Sequence, residues 1–362
     1  MEVRARALEG ELQRLREEMQ LLRAESWGAH AEAMTQALQE VRRIAVFGKN
    51  VDLTRPADFF LMMYDDDIPY RECPSDRRGL QRSMRPDEVV SEVLRVRNSD
   101  ARSMLHEYDA IAAAVASLCR HGPTNLVYVG ANYGPHLLTL ADFIDKRKLP
   151  CRAFGFEPGL AAKLLPVNVR MNRLEHIVTT YEYALSDVDS FGILNHRIGF
   201  SRDDKLLDDL ARGRDLTSVV ELMRFDTVAA RDAIAGPAVI VIDTQGYEPL
   251  VITGCSEYMR KYPVVIVTEF TPSALTGPMA PADFLESLFS IGRVFDVPQL
   301  TAKDVIAMGE ANTPNANKRL VDREILREHA SDFCAHAQEG RGWTDLLVVP
   351  ESVEPWLDWL PS

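Results

Sequence analysis

The sequence predicts an α/β fold built on a mainly parallel sheet with helices on both faces. Short apolar runs, typical of buried strands, alternate with helix-like segments from residue 124 onward. A turn with two glycines follows the first run, and acidic residues stand at the ends of three later runs. Because ligands of parallel sheets bind outside the carboxyl ends of the strands, the pattern also predicts a binding site at that edge.

Composition and charge narrow the class of protein. The chain has 362 residues, of which 46% are hydrophobic, so it can build a full core. Its net charge of −13 argues against nucleic-acid binding, which usually needs a basic patch. The five cysteines are scattered and none forms a C-x-x-C pair. We therefore predict a reduced, cytoplasmic protein without a zinc site, a signal peptide or a transmembrane segment.

The length allows two domains, or one large domain with an appendage. We predict a coiled-coil helix over residues 1–46, a helical and loop cap segment over 47–120, and an α/β domain over 121–362. The cap contains three adjacent carboxylates, Asp65, Asp66 and Asp67. No partner ligands are spaced near them, so we predict a solvated loop and no metal site.

Heptad spacing marks the first part of the N-terminal helix. Its a and d positions are Leu8, Leu12, Leu15, Met19 and Leu22. Glutamates fall at g positions and arginines at e positions, as in a parallel coiled coil. The phase slips by one residue after this stretch, next to Gly28. We expect residues 1–25 to self-associate, as a dimer or a trimer, and the second half to dock on the body of the protein.

Seven segments of the α/β domain are predicted strands: 126–129, 152–156, 177–183, 238–242, 264–269, 293–297 and 345–349. Residues 137–144 and 160–172 are predicted helices between them, and 184–187 a polar bend. Substrate specificity is expected in residues 47–120 and in two loops, 195–215 and 302–327.

The first strand runs into Gly130-Ala131-Asn132-Tyr133-Gly134 and then a helix, which is the layout of a nucleotide site. The spacing differs from the dinucleotide pattern G-x-G-x-x-G, and a tight turn without a ligand is the alternative. The second strand ends at Glu157, a position suited to hydrogen bonds with ribose hydroxyls; a surface acid is the alternative there.

The fourth and fifth strands deliver further carboxylates to the same edge. Asp243 directly follows four apolar residues, and Glu269 ends the next strand. Such a pair could deprotonate or position a hydroxyl. Alternatively, Asp243 caps the following helix, and Glu248 interacts with the dipole of its first turn.

Taken in order, these segments resemble the FkbM-type methyltransferases. The resemblance covers roughly residues 120–350 and rests on the glycine turn and on Phe156-Glu157-Pro158, Ala184-Leu185-Ser186, Asp243-Thr244-Gln245-Gly246, Thr268-Glu269-Phe270 and the closing run from Asp345 to Pro350. It implies a class I S-adenosylmethionine-dependent fold, with a seven-stranded sheet whose last strand is antiparallel. It also implies O-methylation, often of a sugar hydroxyl in a polysaccharide or secondary metabolite.

Carried over by position, the resemblance implies a cofactor site. Gly130, Ala131, Asn132 and Gly134 would hold the methionine part of S-adenosylmethionine. Glu157 would hold the ribose, and Ala184 with Leu185 would line the adenine pocket. Tyr128 and Asp243 complete this set, although Tyr128 stands where the family usually has an acid.

We assign the catalytic base to Asp243 first and to His136 second, with a structural residue of the helix turn as the alternative for His136. Gln245, Glu248 and Glu269 are expected to bind substrate; Gln245 stands where the family usually has Glu. The prediction is a homo-oligomeric, S-adenosylmethionine-dependent O-methyltransferase without a metal.

Two alternatives remain. One is a non-catalytic assembly protein that retains the fold, which the substitutions at Tyr128 and Gln245 favour. The other is an NAD-dependent oxidoreductase, although its G-x-G-x-x-G and Tyr-x-x-x-Lys patterns do not occur in the sequence.

Overall fold

A computed structural model describes residues 51–54, 61–64, 108–196, 205–207, 216–275, 279–297, 323–339 and 344–360. The predicted coil over residues 1–46 and most of the predicted cap segment lie outside these ranges. Within them, no helix is long and apolar enough to cross a bilayer.

The central sheet has eight strands. In chain order they are β3 (Thr124–Val129), β4 (Cys151–Phe156), β5 (Val178–Tyr181), β10 (Ala238–Ile242), β11 (Val264–Phe270), β12 (Arg293–Val297), β13 (Arg323–Ile325) and β14 (Thr344–Val349). Their spatial order is β13-β12-β14-β11-β10-β3-β4-β5. The five strands from β11 to β5 are mutually parallel, and β14 runs antiparallel between β11 and β12. The predicted class I architecture with an antiparallel last strand is thereby confirmed.

The count of seven strands was wrong by one. The short strand β13 pairs with the outer edge of β12, antiparallel, and adds an eighth member. It lies within the segment 302–327 that the sequence indicated to be a loop. Three residues give too short a run for a periodic signal, and only the pairing with β12 defines the strand.

Eight helices lie within the described ranges: α1 (Tyr108–Cys119), α2 (Pro135–Arg147), α3 (Leu165–Met171), α4 (Phe225–Arg231), α5 (Glu248–Gly254), α6 (Ser256–Lys261), α7 (Pro281–Ile291) and α8 (Ala330–Glu339). The first three pack on one face of the central sheet, and the other five pack on the opposite face. Side chains of one strand alternate between the two cores. Val239 and Val241 belong to the first, Ile240 and Ile242 to the second. This double burial explains the uninterrupted apolar run of β10.

The predicted helix over 160–172 is divided into a 3-10 turn, Leu160–Lys163, and helix α3. Pro166 stands in the first turn of α3. Proline lacks the N–H that a helix interior needs but fits a first turn, so the chain begins a new helix there.

A second sheet packs beside the first. Its strands are β6 (Ala184–Leu185), β7 (Ser190–His196), β8 (Lys205–Leu207) and β9 (Leu216–Met223), in the order β6-β9-β7-β8. The predicted strand 177–183 therefore stops early, at Tyr181, and the predicted bend at 184–187 begins with β6, which pairs parallel to β9. The predicted loop 195–215 likewise contains β8. A separate hairpin joins β1 (Val51–Thr54) to β2 (Leu61–Tyr64).

Candidate functional site

The candidate site lies at the carboxyl ends of the parallel strands, where the strand order reverses. From β3 the chain moves outward to β4 and β5, and it then returns to β10 on the other side of β3. A reversal of this kind opens a crevice between the two strands, and ligands of open α/β sheets bind there.

The glycine turn closes one side of this crevice in a backbone conformation that favours glycine. Gly130 and Gly134 have φ angles of 81° and 95°. A Cβ atom added to Gly130 would lie 1.8 Å from the carbonyl oxygen of Asp243. One added to Gly134 would lie 2.7 Å from Cδ1 of Leu165. The contact at Gly130 leaves no space for a side chain, and the positive φ of both residues favours glycine, whether or not a ligand is bound.

Hydrogen bonds within the protein engage every backbone N–H from residue 130 to residue 134. The N–H groups of Gly130 and Ala131 both donate to the carbonyl of Phe156. The Asn132 N–H donates to Glu157 Oε2, and the Tyr133 N–H donates to Asn132 Oδ1. The Gly134 N–H donates to the carbonyl of Ala131. In this conformation these five N–H groups are therefore already used by acceptors within the protein.

Glu157 joins the end of β4 to the glycine turn. Its Oε2 accepts a hydrogen bond of 2.8 Å from the Asn132 N–H, and its Oε1 accepts one of 2.6 Å from the Gly159 N–H. The residue is buried. A carboxylate oxygen can accept more than one hydrogen bond, which is the property that recognition of a ribose diol requires.

Gln245 joins two carboxylates from neighbouring strands. Its Nε2 lies 3.0 Å from Asp243 Oδ1 and 3.0 Å from Glu269 Oε2. The amide presents its NH₂ group to both carboxyl groups and donates one hydrogen bond to each. The residue has a φ of 58°, in the left-handed region, and this bend turns its side chain back toward the strand ends.

Burial raises the pKa of Glu269 well above its ordinary range, and the nearby Asp243, Glu248 and Asp345 raise it further. Asp345 is the direct partner of Glu269 in the register of β11 and β14. The sequence reasoning missed Asp345 as a member of the site. The signal was present, because an acid at the start of an antiparallel strand lies at the same edge as the ends of its parallel neighbours.

Glu248 has its carboxylate inside the loop after β10. It accepts hydrogen bonds from the backbone N–H groups of Thr244 and Gly246, each at 2.9 Å, and from the Thr244 hydroxyl. The residue is 1% exposed, and this burial raises its pKa. These contacts hold the Glu248 carboxylate within its own loop, and its role in substrate binding stays a prediction.

Tyr128, on β3, contacts His136 at the start of α2. Tyr128 is 2% exposed and belongs to the core cluster beneath α2. Its ring meets the His136 ring edge-on, with 5.9 Å between centroids. His136 is half-buried in the first turn of α2. The tyrosine ring thus fills core space at the position where the resembled family has an acid.

The predicted adenine-lining residues are buried where the two sheets meet. Ala184 and Leu185 form β6, and the Ser186 N–H continues the pairing to the carbonyl of Met223. Beside them, the rings of Phe156 and Tyr181 stack with 4.7 Å between centroids. This aromatic wall went unrecognised in the sequence because its members come from two separate strands.

The side chains at this edge of the sheet fit a cationic cofactor that carries a ribose. Three carboxylates, Glu157, Asp243 and Glu269, stand at the ends of β4, β10 and β11. Among the described residues, Thr271, just beyond β11, lies next to Glu269, and its side chain lowers the pKa of that carboxyl group. Within the same residues, no group of three or more His, Cys, Asp or Glu side chains is arranged to hold a metal ion.

No protein-family model matches this sequence, and no curated protein matches it either. Solved structures do show likeness. A Listeria monocytogenes protein described as a class I S-adenosylmethionine-dependent methyltransferase aligns over 71% of this chain at 10% identity, with a TM-score of 0.31. This chain spans 62% of that protein's length. The plantazolicin methyltransferase BpumL, in complex with SAH, aligns over 69% of this chain and 85% of its own at 8% identity, with a TM-score of 0.30. Our assignment of the fold rests on the strand order and pairing, not on these alignments.

Proposed function

We propose that this protein is an S-adenosylmethionine-dependent methyltransferase that methylates a sugar hydroxyl, as the resemblance to the FkbM-type enzymes implies. The observation that carries the proposal is the position of Glu157, Asp243 and Glu269. They stand at the carboxyl ends of three parallel strands, around the point where a class I strand order reverses. Carboxylates at this edge suit a cofactor with a ribose and two cationic groups.

Each part of the cofactor has candidate partners in this chain. Glu157 would accept hydrogen bonds from the ribose hydroxyls. The turn from Gly130 to Gly134 would contact the methionine part, and Ala184 with Leu185 would border the adenine. S-adenosylmethionine supplies an electrophilic methyl group when it is bound.

The chain's own residues would then act on the acceptor. Methyl transfer is an in-line displacement, so alignment of the acceptor hydroxyl supplies much of the rate. A sugar hydroxyl is a poor nucleophile and benefits from a base that takes its proton. Asp243 and Glu269, held together by Gln245, are the first candidates for this role, and His136 is the second.

A second function, assembly without catalysis, has one specific observation in its favour. Acceptors within the protein take up every N–H group of the glycine turn, and Tyr128 fills the adjoining core space. The packing and hydrogen bonds of this region therefore need no ligand. In that reading, self-association through residues 1–25 would be the main activity. The same coil would make a methyltransferase homo-oligomeric.

Transfer of a labelled methyl group separates the two functions. The purified protein is incubated with methyl-labelled S-adenosylmethionine and a panel of mono- and oligosaccharides, and the products are analysed by mass spectrometry. We expect label in a sugar ether with the wild type and much less with Asp243→Asn. Folded protein that binds the cofactor but methylates no hydroxylated acceptor would support the assembly function.

A further inference from the structure

The Gln245 bridge holds two carboxyl groups side by side at one point of the crevice. Two ionised carboxylates there repel each other. The Gln245 Nε2 lies 3.0 Å from an oxygen of each and offsets part of that repulsion. A third carboxylate, Asp345, is the neighbour of Glu269 on β14. The pair thus lies in a partly buried position, where charges interact more strongly than in water.

The cofactor and the product of the proposed reaction differ in charge at one atom. S-adenosylmethionine carries a positive sulfonium, whereas S-adenosylhomocysteine carries a neutral thioether in the same place. Their amino acid, ribose and adenine parts are identical. Any group that distinguishes the two must therefore respond to the charge on sulfur or to the methyl group itself.

We propose that Glu269, held beside Asp243 by Gln245, is a specificity-determining residue that makes the site bind the sulfonium cofactor more tightly than the thioether product. This inference rests on the proposed function. The Gly130 backbone packs against the Asp243 carbonyl. A cofactor whose methionine part contacts the turn after β3, as proposed, would therefore have its sulfur near the end of β10, beside the paired carboxyl groups. A favourable interaction with a cation then exists before methyl transfer and is lost after it.

The same arrangement couples cofactor binding to the release of a proton from Glu269. Burial raises the pKa of the Glu269 carboxyl group, and three carboxylates on the segments around it, Asp243, Glu248 and Asp345, raise it further. A sulfonium nearby favours the ionised carboxylate and lowers that pKa, so part of the population loses a proton to the buffer. The thioether lacks this charge and leaves the proton in place.

The proton coupling also serves the reaction. During transfer the carbon–sulfur bond would break as the oxygen–carbon bond forms, and the acceptor hydroxyl would release one proton. Glu269, whose carboxylate would no longer lie beside a positive charge once the methyl group had left, would accept that proton.

Calorimetric titration tests the inference without any acceptor. S-adenosylmethionine and S-adenosylhomocysteine are each titrated into the full chain at pH 6 and pH 8, in two buffers of different ionisation enthalpy. We expect the cofactor to bind about tenfold more tightly than the product at pH 8, a ratio consistent with one partly screened charge pair. The ratio should fall at pH 6, and only the cofactor should release protons.

Two variants locate the effect. Glu269→Gln should bring the affinity ratio close to one at both pH values and abolish the extra proton release. Glu175→Gln removes an exposed carboxylate just before β5, at the opposite edge of the sheet, and should leave the ratio unchanged. Equal affinities in the wild type, without differential proton release, would overturn this inference alone, even if Glu269→Gln does not fold. Binding of neither ligand would overturn the proposed function as well.

Discussion

Gly130 and Asp243 approach each other so closely that no side chain fits between them. A Cβ atom on Gly130 would lie 1.8 Å from the Asp243 carbonyl oxygen. The contact joins the turn after β3 to the loop after β10, and the two segments form the walls of the crevice. The site therefore depends on a backbone contact that the two strands share.

Replacement of Gly130 by alanine tests this contact. We expect Gly130→Ala to lower the free energy of unfolding by about 3 kcal/mol or more, because the new Cβ forces the two segments apart and the φ of 81° disfavours alanine. Urea denaturation followed by circular dichroism measures the change. Gly122→Ala is a matched control, because Gly122 also has a positive φ, 148°, but nothing lies within 4 Å of its added Cβ. Equal losses in both variants would contradict the contact.

Glu157→Ala tests the proposed ribose site. Removal of a charge-assisted hydrogen bond should weaken S-adenosylmethionine binding by about 1–3 kcal/mol. The substitution also leaves the Asn132 and Gly159 N–H groups without their acceptor, so some loss of stability should accompany it. Affinity is measured by calorimetry at a temperature where the variant is fully folded, with Glu175→Ala as the exposed control. Unchanged affinity in folded Glu157→Ala would remove this residue from the site.

The raised pKa of Glu269 predicts a pH dependence of stability. The Glu269 carboxyl group keeps its proton to higher pH in the folded state than in the unfolded state. Its contribution to stability is therefore fully present below the ordinary glutamate pKa and is lost as pH rises through the raised pKa. Glu248 acts in the same direction. We expect the free energy of unfolding to fall as pH rises above the ordinary glutamate pKa of about 4.3. Glu269→Gln should reduce the slope and stabilise the protein at pH 8; a wild-type curve that rises over this range would refute the assignment.

The carboxylates with lowered pKa act in another pH window. Burial is small and hydrogen bonds dominate at Asp145, Asp189, Asp232 and Glu324, and each has its pKa lowered. Their contribution is present above the ordinary pKa of the group and disappears as pH falls below it. They are ionised in both states above pH 5, so they do not contribute to the slope predicted for Glu269.

Deletion of residues 1–25 tests the predicted coiled coil. We expect the full chain to be an oligomer by light scattering and the truncated chain to have the mass of a monomer, because the leucines of the predicted seam are removed. Truncation should leave cofactor affinity unchanged if the coil only assembles the protein. An unchanged mass after the deletion would show that other residues hold the oligomer together.

The sequence predicted the central sheet well because its strands are buried on both faces. Residues 238–242 and 293–297 coincide with β10 and β12 to the residue. The second sheet was missed because it is half-exposed: Phe191 and Val219 are 73% and 74% exposed, and polar residues interrupt both of their strands. Such a pattern gives no continuous apolar run, and only the pairing of β7 with β9 reveals the strands.

The site was predicted in part for a similar reason. Asp243 and Glu269 follow buried strands, so their shared edge could be deduced from the sequence. The bridge through Gln245 could not, because it depends on one left-handed backbone angle. The burial of Glu248 within its own loop depends on hydrogen bonds to Thr244 and Gly246 that no spacing encodes.

Calorimetric titration of S-adenosylmethionine into the purified full chain is the most direct test of the central claim. The account predicts a dissociation constant of micromolar order, about −8 kcal/mol, together with a rise in melting temperature. Absence of both heat and thermal shift would contradict it. The glycine turn would then be a purely structural feature, and assembly without catalysis would become the better account of this protein.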